Sequence, residues 1–219
     1  MSTRELLAGL ARCCARDLSQ PLVTEAAGGL DVAKRVQAGE AVDIVVVASN
    51  VIDKLIAEGK LLSASRVDLV KSGIAIAVRK NARRYDVNSE DAVKNAVLAV
   101  RNLSYSTGPS GTYLTQLFER WGILETIKGK IMVPPPGIPV GTLVAKGECE
   151  LGFQQMSELM NLEGIDLLGP LPPSIQTMTV FSGGISPDCR TPEAARRVLD
   201  YMASPAAAEL KHRFGMEPA

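Results

Sequence analysis

The chain has 219 residues, with 24 Lys and Arg against 24 Asp and Glu, so its formal charge is zero at pH 7. Hydrophobic residues at 46% and charged residues at 22% exclude a disordered chain. The charge balance gives no bulk attraction to nucleic acid or anionic membrane, and 4% aromatics offer no stacking platform for single strands.

Read in chain order, the sequence alternates helices and strands. Residues 6–18 place Leu6, Leu7, Leu10, Cys14 and Leu18 near a 3.6-residue period, a helix capped by Ser2 or Thr3 with Glu5 completing a capping box. Residues 22–26 are expected as a strand, turned by Gly28 and Gly29. Residues 30–37 form a helix closed by Gly39. Residues 43–48 read as an apolar, β-branched strand buried on both faces. A helix over 50–58, capped by Ser49 or Asn50, ends at Gly59. Residues 73–79 are the next strand.

A second series follows. A helix is expected over 90–96, a strand over 102–105, a loop over 106–111 and a helix over 112–121. A strand at 130–133 precedes the rigid Pro134-Pro135-Pro136-Gly137. Then come a helix over 140–146 and strands at 150–154, 165–168 and 177–181. Helices over 192–203 and 206–214 close the chain. Alternation on this scale predicts an α/β fold with mostly parallel sheets.

Ligands of such sheets bind beyond the carboxyl ends of the strands. The residues expected there are Ser2, Thr3, Gly28, Gly29, Ser49, Asn50, Ser110, Gly111 and Gln155, together with Pro136 to Pro139. They are small or polar, and several open helices, where free N–H groups favour an anion. The strongest single segment is Thr107-Gly108-Pro109-Ser110-Gly111, which pairs a backbone free to approach a ligand with a hydroxyl. Arg4 is a further candidate for charge pairing.

Several chemistries are absent from the pattern. There is no Walker A sequence, G-x-G-x-x-G, H-E-x-x-H or G-x-S-x-G. The single histidine, His212, and the lack of a C-x-x-C leave no zinc set, so no metal and no cofactor are expected. Cys13, Cys14, Cys149 and Cys189 read as buried thiols, with a Cys149–Cys189 bridge left open. No apolar run approaches the roughly 20 residues of a membrane helix. The first residues lack the apolar stretch of a signal peptide. The sequence as written is therefore expected in the cytoplasm, or in the periplasm if its start is truncated.

Three stretches carry a resemblance. Residues 29–49, with Gly39-Glu40-Ala41-Val42-Asp43 before the apolar strand, resemble the corresponding stretch of molybdate-type periplasmic substrate-binding proteins. Residues 69–78 resemble that family's first crossing strand. Gly147-Glu148-Cys149-Glu150-Leu151-Gly152 resembles a strand of its second lobe. The resemblance implies two α/β lobes, residues 1–78 with 177–219 and residues 79–176, holding a ligand between them. Ser49, Ser110, Gly111 and Gln155 are expected to face that ligand. It also implies an ABC transporter permease as partner. The family's oxyanion serine and tyrosine fall at Gly29 and Gln155 here, which points from molybdate or tungstate toward a small organic anion, a carboxylate. The expected function is solute binding. The alternative is an isomerase acting on a di- or tricarboxylate such as aconitate, with Glu25, Tyr105, Tyr113 and Glu158 as candidate acid–base groups.

Overall fold

The computed structural model describes residues 2–135 and 138–219, so Pro136 and Gly137, expected in a strand-end loop, lie outside the described residues. In chain order the helices and strands begin with α1 (Arg4–Asp17), α2 (Gly29–Gln37), β1 (Ile44–Ala48), α3 (Ser49–Ala57) and β2 (Val67–Arg79). Next come α4 (Glu90–Ala99), β3 (Leu103–Tyr105), α5 (Pro109–Arg120), α6 (Leu124–Ile127), β4 (Ile131–Met132) and α7 (Val140–Lys146). The chain closes with β5 (Leu151–Gln155), α8 (Met156–Leu159), β6 (Ile165–Pro170), β7 (Met178–Ile185), α9 (Pro192–Ala203), α10 (Ala208–Arg213) and β8 (Glu217–Pro218). The packing separates two compact units. Unit 1 comprises the residues up to Ser72 with Thr179–Ala219, and unit 2 is Gly73–Met178.

In unit 1 the strand order is β1-β7-β2, with β8 also on β2. The faces of β1 alternate. Ile44 and Val46 pack on the cluster that holds Leu6, Leu10 and Cys14 of α1 and Val198 and Leu199 of α9. Val45 and Val47 pack on the opposite cluster with Val36 of α2 and Ile52 and Leu55 of α3. A period-2 strand of branched apolar residues covered on both faces explains why the run carries no polar alternation.

In unit 2, β2 lies between β5 and β6, and the sheet continues through β3 to β4. Ile74, Ile76 and Val78 enter the main core with Val93 and Val97 of α4, Phe118 of α5 and Phe153 of β5. Ala75 and Ala77 face the other way, against Leu159 of α8. On that side Gly152 leaves room for α7, since a Cβ there would crowd the Val140 and Val144 side chains. Cys149, on the same side, is buried and its thiol is pushed up to about 12 by desolvation. All four cysteines are free thiols, so the Cys149–Cys189 bridge is not formed.

The α/β class stands, and the sheets are mixed. β3 is parallel to β4 and β5, whereas β2 is antiparallel to β5, β6 and β8, and β1 to β7. Helical crossovers do give parallel strands. The two strands that carry the chain across the unit boundaries, β2 and β7, are inserted against that direction. The first of these is a 13-residue strand starting at Val67, longer than the 73–79 expected.

Other expectations are corrected. Residues 22–26 belong to no strand. Branched residues favour the extended form, but a strand exists only where a neighbour completes its hydrogen bonds. Thr3 is the N-cap residue of α1 without a side-chain cap bond, so the capping box is not formed. Ala48 is the N-cap residue of α3, which puts Ser49 and Asn50 inside the first turn. The helix expected over 112–121 starts earlier, at Pro109, whose fixed φ suits a first helical position. The last helix is split into a 3-10 turn at Pro205–Ala207 and α10.

The Gln176 side chain closes the edge of unit 2. Its Oε1 accepts the Ile74 N–H at 2.9 Å, and its Nε2 donates to the Ile74 carbonyl at 3.0 Å. The amide thus acts as a strand residue paired with β2. Gln176→Ala leaves these groups without that partner, and the expected loss is about 2 kcal/mol in urea denaturation monitored by circular dichroism.

Candidate functional site

The three parallel strands of unit 2 end together. Tyr105 of β3 is in register with Phe153 of β5, so residues 106–111 and the chain from Met156 onward leave the sheet at the same end. The parallel register of Leu103 with Ile131 brings the segment after β4 to that end as well. Helices α5, α7 and α8 all start there. Gln154, nearly fully buried, ties two of the starts together: its Oε1 accepts the Gly141 N–H at the head of α7, at 3.3 Å.

The loop before α5 is rigid for a local reason. Ser106 Oγ and Ser110 Oγ share a hydrogen bond of 2.9 Å, and Ser106 Oγ also accepts the Gly108 N–H at 3.3 Å. Gly108 is the N-cap residue with an extended backbone, and Pro109 follows at the first helical position. The chain then doubles back so tightly that a Cβ on Gly111 would overlap the Ser106 carbonyl. Glycine is required there by contact with backbone, not by its φ. Ser110 is 1% exposed, so its hydroxyl is held on the inner side of the turn.

Gln155, 2% exposed, is the last residue of β5 and the N-cap residue of α8, opposite Ile74 in the β2–β5 register. Two residues on, Ser157 has a buried Oγ that no hydrogen-bond partner satisfies among the described residues. A buried hydroxyl in that state costs about 1–3 kcal/mol unless something pairs with it. The strand-end position of Ser157 was visible in the sequence. Its unsatisfied hydroxyl was not, because satisfaction depends on neighbours that only the fold supplies.

The expected residues of unit 1 occupy three separate helix starts. Ser2 and buried Thr3 precede α1, Gly28 and Gly29 open α2, and Ser49 and Asn50 form the first turn of α3. The Gly28 carbonyl accepts the Val32 N–H at 2.9 Å, the first bond of α2. Arg4 borders a cavity of about 260 Å³ with Thr24, Glu25 and Ala26. The N-cap residues Thr3, Gly28 and Ala48 form no side-chain cap bond.

The candidate acid–base groups sort by their partners. Glu25 accepts from Arg35 at 2.7 Å, and that hydrogen bond holds its carboxyl below the usual range. A carboxylate so stabilised is a weaker base. The Tyr113 hydroxyl donates to the Ile175 carbonyl at 2.7 Å, inside unit 2. The Tyr105 hydroxyl accepts from Thr115 at 3.3 Å, on the α5 side of β3. Glu158 lies in the first turn of α8. No group of three or more metal-ligating side chains occurs among the described residues. No helix among them is long and apolar enough to cross a membrane.

With this geometry in place, residues 3–217 match the model of the bacterial extracellular solute-binding proteins. The chain belongs to that family. An aconitate isomerase from Pseudomonas sp. is 39% identical over 188 residues, covering 85% of this chain and 71% of the relative. The periplasmic molybdate-binding protein of Azotobacter vinelandii superposes with a TM-score of 0.81 at 17% identity, covering 98% of this chain and 95% of that one. A tungstate-binding protein from Desulfovibrio alaskensis gives 0.66 at 16% identity, with 98% and 93% covered. These two structures establish the periplasmic-binding-protein fold. The family carries the solute-binding function.

Gly111→Ala tests the turn that presents Ser110. The added methyl must displace the Ser106 carbonyl, so the variant is expected to lose about 2 kcal/mol of stability. The amide signals of Ser106 to Ser110 should shift in a ¹⁵N correlation spectrum while those of unit 1 stay in place.

Proposed function

We propose that the chain binds a small carboxylate of the di- or tricarboxylate class at the carboxyl ends of β3 and β5. The observation that carries this reading is the Ser157 hydroxyl, buried and unsatisfied two residues after Gln155. The same strand ends carry further uncharged donors: the start of α5, the Ser106–Ser110 pair and the amide of Gln155. Neutral hydrogen-bond donors at a helix start accommodate a carboxylate without the cost of burying a counter-charge. Glycine at 29 and glutamine at 155, where the resembled family has an oxyanion serine and tyrosine, favour a planar carboxylate over a tetrahedral metal oxyanion. At the helix starts of unit 1 we propose Ser2, Thr3, Gly28, Gly29, Ser49 and Asn50 as donors for the same class of ligand, and an ABC permease as the partner in uptake.

A second reading is supported by the 39% identity to an aconitate isomerase. Moving a double bond within a tricarboxylate needs one group to take a proton from the methylene carbon and return it at the other end of the allylic unit. Tyr105, next to the Ser106 turn, is the residue we would assign first to that step.

The two readings separate in two measurements. In a thermal-shift and calorimetric screen, cis- or trans-aconitate or citrate should raise Tm more than molybdate or tungstate. At 100 times Kd the stabilisation is about 2.7 kcal/mol. Ser110→Leu should abolish that shift while the unliganded protein still folds cooperatively. Tight molybdate binding would refute the carboxylate assignment. Incubation with trans-aconitate in deuterated water, followed by NMR, tests turnover. Deuterium in the methylene carbon, lost in Tyr105→Phe, would establish the isomerase reading, and binding without exchange would establish the receptor reading.

A further inference from the structure

The turn after β2 is strongly cationic. Residues 79–84 read Arg79-Lys80-Asn81-Ala82-Arg83-Arg84, with four positive charges and no carboxylate, in a chain whose formal charge is zero. All four cations are exposed. The ion pairs of unit 2 engage Arg101, Arg120 and Lys128, and none among the described residues takes Arg79, Lys80, Arg83 or Arg84. The contacts these side chains do make are with neutral groups. The Arg83 guanidinium lies 5.1 Å from the centre of the Tyr85 ring, and Arg84 Nη2 donates to the Leu167 carbonyl at 3.3 Å. Arg79 Nη1 lies 3.1 Å from the point a Cβ on Gly147 would occupy, next to exposed Lys146.

The backbone that carries these charges is pinned. The Lys80 N–H donates to the Gly164 carbonyl at 2.9 Å, the Asn81 N–H to the Asp166 carboxylate at 3.0 Å, and the Ala82 N–H to the Arg79 carbonyl at 2.9 Å. Asn81 turns the chain at a φ of 61°, a conformation asparagine tolerates. The neighbouring carboxylates are engaged elsewhere. Asp166 holds the Asn81 N–H, Asp86 accepts the Asn88 N–H at 3.0 Å, and Glu150 takes both the backbone N–H and the guanidinium of Arg101. Like charges held this close on a fixed turn repel one another, a cost that an anion from outside the chain relieves.

We propose that the turn at residues 79–84 docks a short acidic segment of a partner protein. Three of its four cations are arginines, whose planar forks match carboxylates in two-point hydrogen bonds. The size of the patch selects the occupant. Exposed Asp86 follows the turn in the chain, and exposed Glu148 and Glu163 adjoin Gly147 and Gly164, the two glycines the turn touches. A bilayer surface or a nucleic-acid backbone extends past the cations and meets these carboxylates, whereas a few consecutive acidic residues do not. The patch also lies apart from the candidate ligand loops. Strand β2 is antiparallel to β5, with Ile74 opposite Gln155 and Ala77 opposite Gly152, so Arg79 is at the beginning of β5 and the ligand loops are at its end. A partner on the turn leaves those loops open.

The test uses the intact chain and an acetylated, amidated peptide, Gly-Glu-Glu-Glu-Glu-Gly, with its all-glutamine counterpart as control. In a ¹⁵N correlation titration the acidic peptide should shift the amides of residues 79–85 and 146–147 and leave those of Ser106 to Gly111 in place, and the glutamine peptide should shift neither. Affinity should fall as sodium chloride rises from about 50 to 300 mM, because the Debye length shortens. The double change Arg83→Gln with Arg84→Gln should weaken binding about 10-fold. Arg197→Gln, at an exposed arginine of α9 in unit 1, should leave it unchanged. Equal loss in Arg197→Gln, or shifts spread over the surface, would show attraction to charge in general and overturn the proposal. No binding of the acidic peptide would overturn it as well. So would tighter binding to phosphatidylglycerol vesicles or to a single-stranded oligonucleotide than to the peptide.

Discussion

The backbone of Ile74 is the fixed point of unit 2. It is paired in the β2–β5 ladder opposite Gln155, its carbonyl accepts the Leu171 N–H at 3.0 Å, and the Gln176 amide bonds both its N–H and its carbonyl. Five consecutive residues from Ile74 to Val78 have no exposed surface. Burial at that depth is tolerable because every ladder group has a partner on one side or the other. The alternation of isoleucine and alanine along β2 then sets two different faces. The large residues fill the core under α4 and α5, and the alanines let α8 come close.

The position of the candidate site follows from that arrangement. With β2 fixed, β5 is fixed beside it, and Gln155 lies opposite Ile74. Helix α8 must start at that point, which places Ser157 where its hydroxyl finds no partner among the described residues. The neighbouring strand β3 ends in register, and the Ser106 turn doubles back to begin α5. The hydroxyls and N–H groups at this end are neutral, and the site has no buried cation among its described residues. A chemistry built on such donors recognises shape and hydrogen-bond acceptors before charge, consistent with a family whose members bind varied solutes on one fold.

The two units differ in how their sheets are finished. In unit 2 the strand β2 is flanked by β5 and β6, so its backbone is closed on both sides. In unit 1 the apolar strand β1 is paired with β7 among the described residues. The physical contrast is between covering a strand's faces and completing its edges. Helices do the first by the hydrophobic effect, and only another strand does the second.

Much of this protein was legible in its sequence. The apolar run at 44–48, the glycines that close α2 and α3 at positive φ, and the βα alternation of residues 90–168 depend on local periodicity and backbone stereochemistry, which a sequence carries directly. The candidate residues after β3 and β5 followed from the rule that such loops lie at strand ends. What the sequence did not carry was partnership. Residues 22–26 have the composition of a strand and no neighbour to pair with, so they are coil. Ser2 and Glu5 have the spacing of a capping box, but the cap position went to Thr3. The strands β2 and β7 turned out antiparallel to β5 and β1, because direction in a sheet is set by where the chain has to go next. Hydrogen bonds between distant residues, such as Gln176 to Ile74 across 102 positions, are decided by tertiary structure alone. Local pattern fixes what a segment can become, and long-range backbone pairing selects which of those forms it takes.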